Sequence, residues 1–157
     1  MKIKLMIFSL AVANALNAAS AQTPSLFTAA RNNDVNLAKK LLAAKANVNQ
    51  QDDTGYTPLI LATYDDNFEV ANLLLNDGAN TEVKDHSGRT ALMGAAYKGH
   101  EREVKLLLDN GANARAVDSK GLTCTMYAVM SGRMSIIRIL RTEKAVKSTS
   151  AQVANIQ

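Results

Sequence analysis

The chain contains 157 residues and carries a formal net charge of +4, with 47% hydrophobic and 20% charged residues. These values suit one domain of ordinary size and exclude a disordered chain or a protein with several membrane spans. A single cysteine and two histidines exclude an intrachain disulfide framework and a zinc site built from cysteine and histidine alone. Aromatic residues make up only 4% of the chain, which favours closely packed helices over a β-sandwich.

The first 21 residues have the order of regions that is typical of a secretory signal peptide. A basic start with Lys2 and Lys4 precedes an apolar stretch at 5–13, and a small-residue cleavage pattern ends at Ala21. The apolar stretch is shorter than the roughly 20 residues that a membrane-spanning helix needs. We therefore expect a cleaved signal peptide at 1–21 rather than a membrane anchor, and a mature protein that is periplasmic or secreted.

The charge of the mature chain is unevenly distributed. Removing Lys2 and Lys4 lowers the net charge from +4 to +2. Residues 22–45 carry four basic and one acidic side chain, residues 46–113 carry five and eleven, and residues 114–157 carry seven and two. A nucleic-acid surface needs continuous positive potential, so the acidic middle argues against one. The distribution fits either the orientation of a protein partner or incidental charge on solvated end units.

Residues of the same type recur every 33 positions through most of the chain, which indicates an internal repeat. The matched sets are Gly55, Gly88 and Gly121; Thr57, Thr90 and Thr123; Ala62, Ala95 and Ala128; and Asp52, Asp85 and Asp118. A more degenerate unit precedes them, in which Leu26 and Ala29 occupy the positions of Leu59 and Ala62. No insertion or deletion interrupts this register from Pro24 to about Ala145.

The central units resemble the ankyrin repeat. They begin with Asp-Asp-Thr-Gly-Tyr-Thr-Pro-Leu at 52–59 and Asp-His-Ser-Gly-Arg-Thr-Ala-Leu at 85–92, and both end in Gly-Ala-Asn, at 78–80 and 111–113. The resemblance implies two antiparallel helices and a projecting β-turn per unit. We therefore expect an all-α repeat solenoid, an ankyrin-type stack of about four helix-turn-helix/β-turn units. Its expected parts are a domain at 22–147, with repeats at 22–54, 55–87, 88–120 and 121–147, and a C-terminal tail at 148–157.

Local signals agree with this assignment. Thr57-Pro58 predicts a helix start with proline in the first helical position, and Thr23-Pro24 predicts the same in the first unit. Gly78 and Gly111 suit helix ends that require a positive φ. Where the family usually has histidine, this chain has apolar residues, so we expect apolar packing there instead of hydrogen bonds between repeats. Those residues are Ile60, Met93 and Met126.

The sequence offers little catalytic chemistry. His86 on a β-turn and His100 between helices lack partners at the spacing of a catalytic triad or a metal site. Cys124 is expected at a buried helix start, as an inert thiol. Three carboxylates cluster where helix-dipole stabilisation is the simplest role: Asp65, Asp66 and Glu69. We therefore expect no catalytic residue, metal or cofactor, with an unrecognised hydrolase as a minor alternative.

The family resemblance implies a partner-binding surface on the concave side, made of β-turn tips and the exposed face of each first helix. Carried over residue by residue, this surface comprises Asp53, Tyr56, Tyr64, Asp65, His86, Arg89, Tyr97, Lys98, Lys120, Leu122 and Met130. Three of the four tyrosines are in this set, and tyrosine and arginine are favoured anchors at interfaces. The alternative is that Tyr64 and Tyr97 pack between helices.

The layout of a signal segment followed by a short repeat array is similar to that of small exported bacterial ankyrin proteins. This similarity implies a non-enzymatic module that binds a protein partner, as a periplasmic scaffold or stress-protective factor. The alternative is an immunity or inhibitor protein that neutralises a toxin acting in the periplasm or on the membrane. We expect a monomer when free, no nucleic-acid partner, and no membrane insertion after signal cleavage.

Overall fold

The computed structural model of the chain describes residues 24–142. The predicted signal peptide at 1–21 and the predicted tail at 148–157 lie outside these residues. The helices are α1 (Leu26–Asn32), α2 (Val35–Ala43), α3 (Pro58–Tyr64), α4 (Phe68–Asn76), α5 (Ala91–Lys98), α6 (Glu101–Asp109) and α7 (Cys124–Met130), followed by α8 at 134–142. Between residues 24 and 142 there is no β-strand, which confirms the all-α repeat stack. No helix in this range has both the length and the hydrophobicity to span a membrane.

The helices form two layers. The first helices of successive repeats, α1, α3, α5 and α7, pack side by side, and α2, α4 and α6 form the second layer. A column of fully buried alanines runs through the first layer at the 33-residue spacing: Ala29, Ala62, Ala95 and Ala128. Because alanine is small, neighbouring first helices approach closely along this column. Leu74 and Leu107 of the second layer are also fully buried, so each repeat completes the core of its neighbour.

The helix starts follow the sequence prediction in the central units and depart from it in the first. Thr57 caps α3, its hydroxyl accepting a 3.2 Å hydrogen bond from the Ile60 backbone N–H, and Pro58 takes the first helical position as predicted. In the first unit the prediction was wrong. Ser25 caps α1, accepting from the Thr28 N–H at 3.2 Å, so the helix begins after Thr23-Pro24 rather than within it.

One aspartate per repeat organises each β-turn. Oδ1 of Asp85 accepts hydrogen bonds from the backbone N–H groups of Ser87 (2.8 Å) and Arg89 (2.9 Å). Asp52 and Asp118 make the same pair of bonds within their own turns. The other carboxylate oxygen, Oδ2, is therefore left for side chains on the concave side.

Successive β-turns lie in direct backbone contact. The His86 N–H donates to the Thr54 carbonyl at 3.2 Å, and the Ser119 N–H donates to the Ser87 carbonyl at 3.0 Å. Gly88 has a φ of +77°, and a Cβ there would lie 2.6 Å from the Ser119 nitrogen. This position therefore requires glycine both for its backbone conformation and for the close approach of the next turn.

The residue that precedes the second helix of a repeat joins it to the repeat before. Asn67 donates to the Ala30 carbonyl (2.7 Å), His100 to the Thr63 carbonyl (3.0 Å) and Arg133 to the Tyr97 carbonyl (3.3 Å). Side-chain hydrogen bonds between repeats are thus present, but they come from the residue before each second helix and not from the position where the family usually has histidine.

Apolar packing at the family's histidine position is confirmed at two of its three occurrences. Ile60 and Met93 are buried, whereas Met126 is 48% exposed. The helix-end prediction is also confirmed, because Gly78 and Gly111 have φ values of +88° and +84°.

Candidate functional site

All four tyrosines of the chain line one groove, which has a volume of about 240 Å³. The groove lies where the β-turns of the second and third repeats meet α3, α5 and α7. Its lining consists of Tyr56, Ile60, Leu61, Tyr64, Asp85, Arg89, Thr90, Met93, Gly94, Tyr97 and Tyr127. Four of these eleven residues are tyrosines, although aromatic residues make up only 4% of the chain.

Four of the predicted partner-binding residues line this groove: Tyr56, Tyr64, Arg89 and Tyr97. A fifth, Lys98, lies beside it, with its ammonium 4.6 Å from the centre of the Tyr64 ring. The remaining six lie outside the lining: Asp53, Asp65, His86, Lys120, Leu122 and Met130. Of these, Leu122 is half-buried, and the other five are exposed.

Arg89 is held in place by two side chains of the groove. Its Nε donates to Oδ2 of Asp85 at 2.8 Å, and its Nη2 lies 2.7 Å from the same oxygen. Nη2 also donates to the Tyr56 hydroxyl at 3.0 Å. The hydrogen bond to Asp85 raises the pKa of Arg89, so the guanidinium is charged at any physiological pH. Because Oδ1 of Asp85 holds the β-turn, the turn and the guanidinium form one unit.

The structure adds Tyr127 to the groove. Its hydroxyl donates a 2.6 Å hydrogen bond to Oδ2 of Asp118, the turn-organising aspartate of the last repeat. Burial and this bond raise the pKa of Tyr127 to about 12, and the same bond lowers the pKa of Asp118. The ring meets the Tyr97 ring edge to face, with centroids 6.2 Å apart and an interplanar angle of 89°.

The repeat register did not predict Tyr127 as a groove residue, because Tyr127 does not occupy the repeat position of Tyr64 and Tyr97. It takes the position that Leu61 and Gly94 hold in the preceding repeats. Gly94 is itself the signal that was available, since a glycine inside a helix often marks a close approach. A Cβ at Gly94 would lie 3.3 Å from Cδ2 of Tyr64. The absent side chain thus allows the Tyr64 ring to lie close to the backbone of α5.

Tyr64 and Tyr97 are both accessible to a partner. They are 38% and 44% exposed, so neither is enclosed between the helices. Two partly exposed tyrosine rings can contact apolar or aromatic side chains. The fixed guanidinium and the lysine ammonium can donate hydrogen bonds to carboxylates or carbonyls. The groove is therefore suited to binding a protruding segment of another protein.

Cys124 lies outside the groove and behaves as an unreactive thiol. It is 1% exposed, its Sγ donates to the Ala114 carbonyl at 3.2 Å, and burial raises its pKa to about 11. The reactive thiolate is therefore scarce at neutral pH.

The carboxylates that the sequence grouped together have separate positions. Glu69 lies in the first turn of α4, as expected for a helix-dipole partner, and its carboxylate accepts from Asn33 at 3.0 Å. Asp65 is instead the C-cap of α3. Asp66 lies in the connection between α3 and α4, where its backbone has a φ of +63°.

Comparison with known proteins gives one family. The family model for ankyrin repeats (3 copies) matches residues 3–85 and 77–151. These two matches together include every residue of the groove. No curated protein matches the chain.

Proposed function

This chain belongs to the ankyrin-repeat family, and on that premise we propose that it is an exported, non-enzymatic module that binds one protein partner through its tyrosine-lined groove. Ankyrin repeats are protein-binding modules. The observation that carries the proposal is the convergence of all four tyrosines and Arg89 on one groove. Tyrosine and arginine are the residues most often found to dominate binding energy at interfaces.

The geometry supports a particular kind of partner surface. A groove of about 240 Å³ accommodates one or two side chains rather than a folded element. The Tyr64 and Tyr97 rings favour an apolar or aromatic side chain at its centre. Lys98 beside Tyr64 favours an acidic residue next to it. We infer that the partner presents a protruding loop in which an apolar or aromatic residue neighbours an acidic one.

Two biological roles are compatible with such binding. The first is that of a periplasmic scaffold or stress-protective factor, for which the order of regions at 1–21 supports export. The second is that of an immunity or inhibitor protein directed at a toxin that acts in the periplasm or on the membrane. The fixed position of Arg89 favours tight binding of a single partner, because preorganised groups lose little entropy on binding. This observation supports the inhibitor role in particular.

The test is affinity capture from periplasmic extract with the full chain and a double variant, Tyr64→Ala with Tyr97→Ala. We expect the double variant to lose partners that the wild-type protein retains. Met134→Ala is the matched control, since Met134 is a 68% exposed apolar residue outside the groove. Equal recovery of the same partners by wild type and double variant would show that the groove is not the binding surface. One dominant stoichiometric partner would favour the inhibitor role, and several weak ones the scaffold role.

A further inference from the structure

Glu103 is a buried carboxylate in the first turn of α6 and is 1% exposed. Among residues 24–142, no N–H or O–H group donates a hydrogen bond to either of its carboxylate oxygens. A carboxylate at this position of a helix often accepts from the backbone N–H of the N-cap residue. Here the N-cap is His100, and its N–H already donates to the Ala95 carbonyl at 3.1 Å. A buried, unpaired carboxylate is costly, so a binding partner is expected for it.

Two potential metal ligands from neighbouring parts of the stack lie beside Glu103. They are the exposed Asp66, from the connection between α3 and α4, and the half-buried His100. One ligand atom from each of the three residues lies within 4.8 Å of the other two. The three residues bring together two carboxylates and an imidazole across the boundary between two repeats.

His100 is already oriented as metal-binding histidines usually are. Its Nδ1–H donates to the Thr63 carbonyl at 3.0 Å, and a carbonyl oxygen only accepts. The neutral imidazole therefore has its free lone pair on Nε2. A hydrogen bond from one ring nitrogen to a carbonyl, which fixes the tautomer and leaves the other nitrogen to the metal, is the common arrangement around metal-bound histidine.

We propose that Asp66, His100 and Glu103 bind a divalent transition-metal ion, with Zn²⁺ as the best fit, at the boundary between the second and third repeats. Imidazole favours Zn²⁺ and its neighbours over Mg²⁺ and Ca²⁺. Zinc accepts carboxylate oxygen and histidine nitrogen at about 2.0–2.2 Å. The exposed side chain of Asp66 supplies the small closure that these distances require and leaves an open coordination position towards solvent. The ion would offset the two negative charges and join one repeat to the next.

This site is separate from the groove, because none of its three residues lines the groove. Its expected effect is on the stability of the stack. Repeat proteins depend on the contacts between neighbouring units, and an ion bound only by the folded state stabilises it by a free energy that rises with the logarithm of the ion concentration above its Kd.

The alternative occupant is a proton shared between the two carboxyl groups. Burial, reinforced by the neighbouring carboxylate of Asp66, raises the pKa of Glu103. A shared proton would satisfy Glu103 without any metal. The experiment must therefore distinguish a cation from a proton.

The test is titration of the metal-free full chain with ZnCl₂, in which calorimetry measures binding and thermal unfolding measures stability. MgCl₂ and CaCl₂ are the comparison salts. We expect one Zn²⁺ per chain, a thermal midpoint that rises with Zn²⁺ and falls with a chelator, and weaker effects of the other two ions. Asp66→Gly and Glu103→Gln should each weaken Zn²⁺ binding by roughly tenfold or more. Glu101→Gln is the control, because Glu101 is an exposed carboxylate in the same turn of α6 and should leave binding unchanged.

Asp66→Gly keeps the test decisive if the Glu103 variant fails to fold. Gly99 and Gly132 occupy the equivalent position in the later repeats with positive φ, so glycine suits the backbone at Asp66. Absence of Zn²⁺ binding, or binding that survives Asp66→Gly, would overturn the proposal. The proposal would also be overturned if Zn²⁺ and chelator left the thermal midpoint of the wild type unchanged while Glu103→Gln was more stable than the wild type, since that result identifies the shared proton.

Discussion

Tyr127 and Asp118 are joined by a 2.6 Å hydrogen bond between the phenol hydroxyl and Oδ2 of the carboxylate. Oδ1 of the same aspartate holds the last β-turn, through the backbone N–H groups of Lys120 and Leu122. One carboxylate thereby connects a turn to a ring of the groove. One repeat earlier, Asp85 likewise connects its turn to a groove side chain, because its Oδ2 accepts a hydrogen bond from Arg89.

Replacing Tyr127 with phenylalanine removes this bond and leaves Oδ2 of the buried Asp118 without it. We expect Tyr127→Phe to lower the thermal midpoint by a few degrees, because the loss of one hydrogen bond to a buried carboxylate reduces the free energy of unfolding by enough to shift the midpoint that far in a domain of this size. The measurement is thermal unfolding followed by circular dichroism. Tyr64→Phe is the control, because nothing in the described part of the chain hydrogen-bonds to the Tyr64 hydroxyl. Equal midpoints for wild type and Tyr127→Phe would contradict the expectation.

The same pair predicts a pH dependence of the free energy of unfolding. The pKa of Tyr127 is raised from its usual 10.0 to about 12, so the folded state favours the neutral phenol. Its contribution is complete below pH 10 and is lost as the pH rises towards 12. The lowered pKa of Asp118 acts in acid, where its contribution is present above pH 3.8 and is lost as the pH falls below that value.

Denaturant unfolding between pH 9 and 12 checks the alkaline limb. Wild type should lose stability more steeply than Tyr127→Phe, which has no phenol to ionise at this position. Parallel pH profiles for the two proteins would show that the hydroxyl does not contribute in this range.

Arg89→Lys tests whether the fixed guanidinium matters, as distinct from its charge. Lysine keeps the positive charge, but its single ammonium lacks the planar fork that binds Asp85 and Tyr56 together. We expect a loss of about 1 kcal/mol in stability and weaker binding of the captured partner. Denaturant unfolding and partner titration measure the two effects. Wild-type affinity in Arg89→Lys would mean that only the charge is recognised.

Ala95→Leu tests the alanine column between first helices. Ala95 is fully buried between α3 and α7, so the larger side chain forces the helices apart. We expect a destabilisation of about 1–3 kcal/mol, the range found for overpacked cores. Ala44→Leu makes the same change at an exposed position and should have little effect. A similar result for the two variants in urea unfolding would show that the first helices are not closely packed at Ala95.

Most of the fold could be predicted from the sequence because one spacing governs it. Ala95 has buried equivalents in all four repeats, and Gly78 recurs with a positive φ as Gly111, so such recurrences identified the helices and turns. The first unit lacks that redundancy. Its helix start was misplaced because Ser25, rather than a Thr-Pro pair, supplies the cap.

The groove was only partly predictable. Tyr56, Tyr64, Arg89 and Tyr97 lie in columns that the repeat register made visible. Tyr127 reaches the groove from the repeat position of Leu61 and Gly94, where no other repeat has a tyrosine, so the repeat register does not indicate it.

The cluster around Glu103 was missed for a related reason. Its members come from two repeats, and the burial of Glu103 depends on how those repeats pack. In the sequence, Glu103 reads as an ordinary acidic residue in the first turn of a helix.

The turn-organising aspartates have a consequence for protein engineering. The residue four positions after each of them presents its backbone N–H to the turn and its side chain to the concave side, and these residues are Tyr56, Arg89 and Leu122. At positions 56 and 122 the turn aspartate binds only the backbone N–H, so many side chains are tolerated there. At position 89 the guanidinium also binds Oδ2 of Asp85, so a substitution there loses the contribution that Arg89→Lys tests. A combinatorial library that varies positions 56, 89 and 122 while retaining Asp52, Asp85 and Asp118 should yield folded binders with altered specificity.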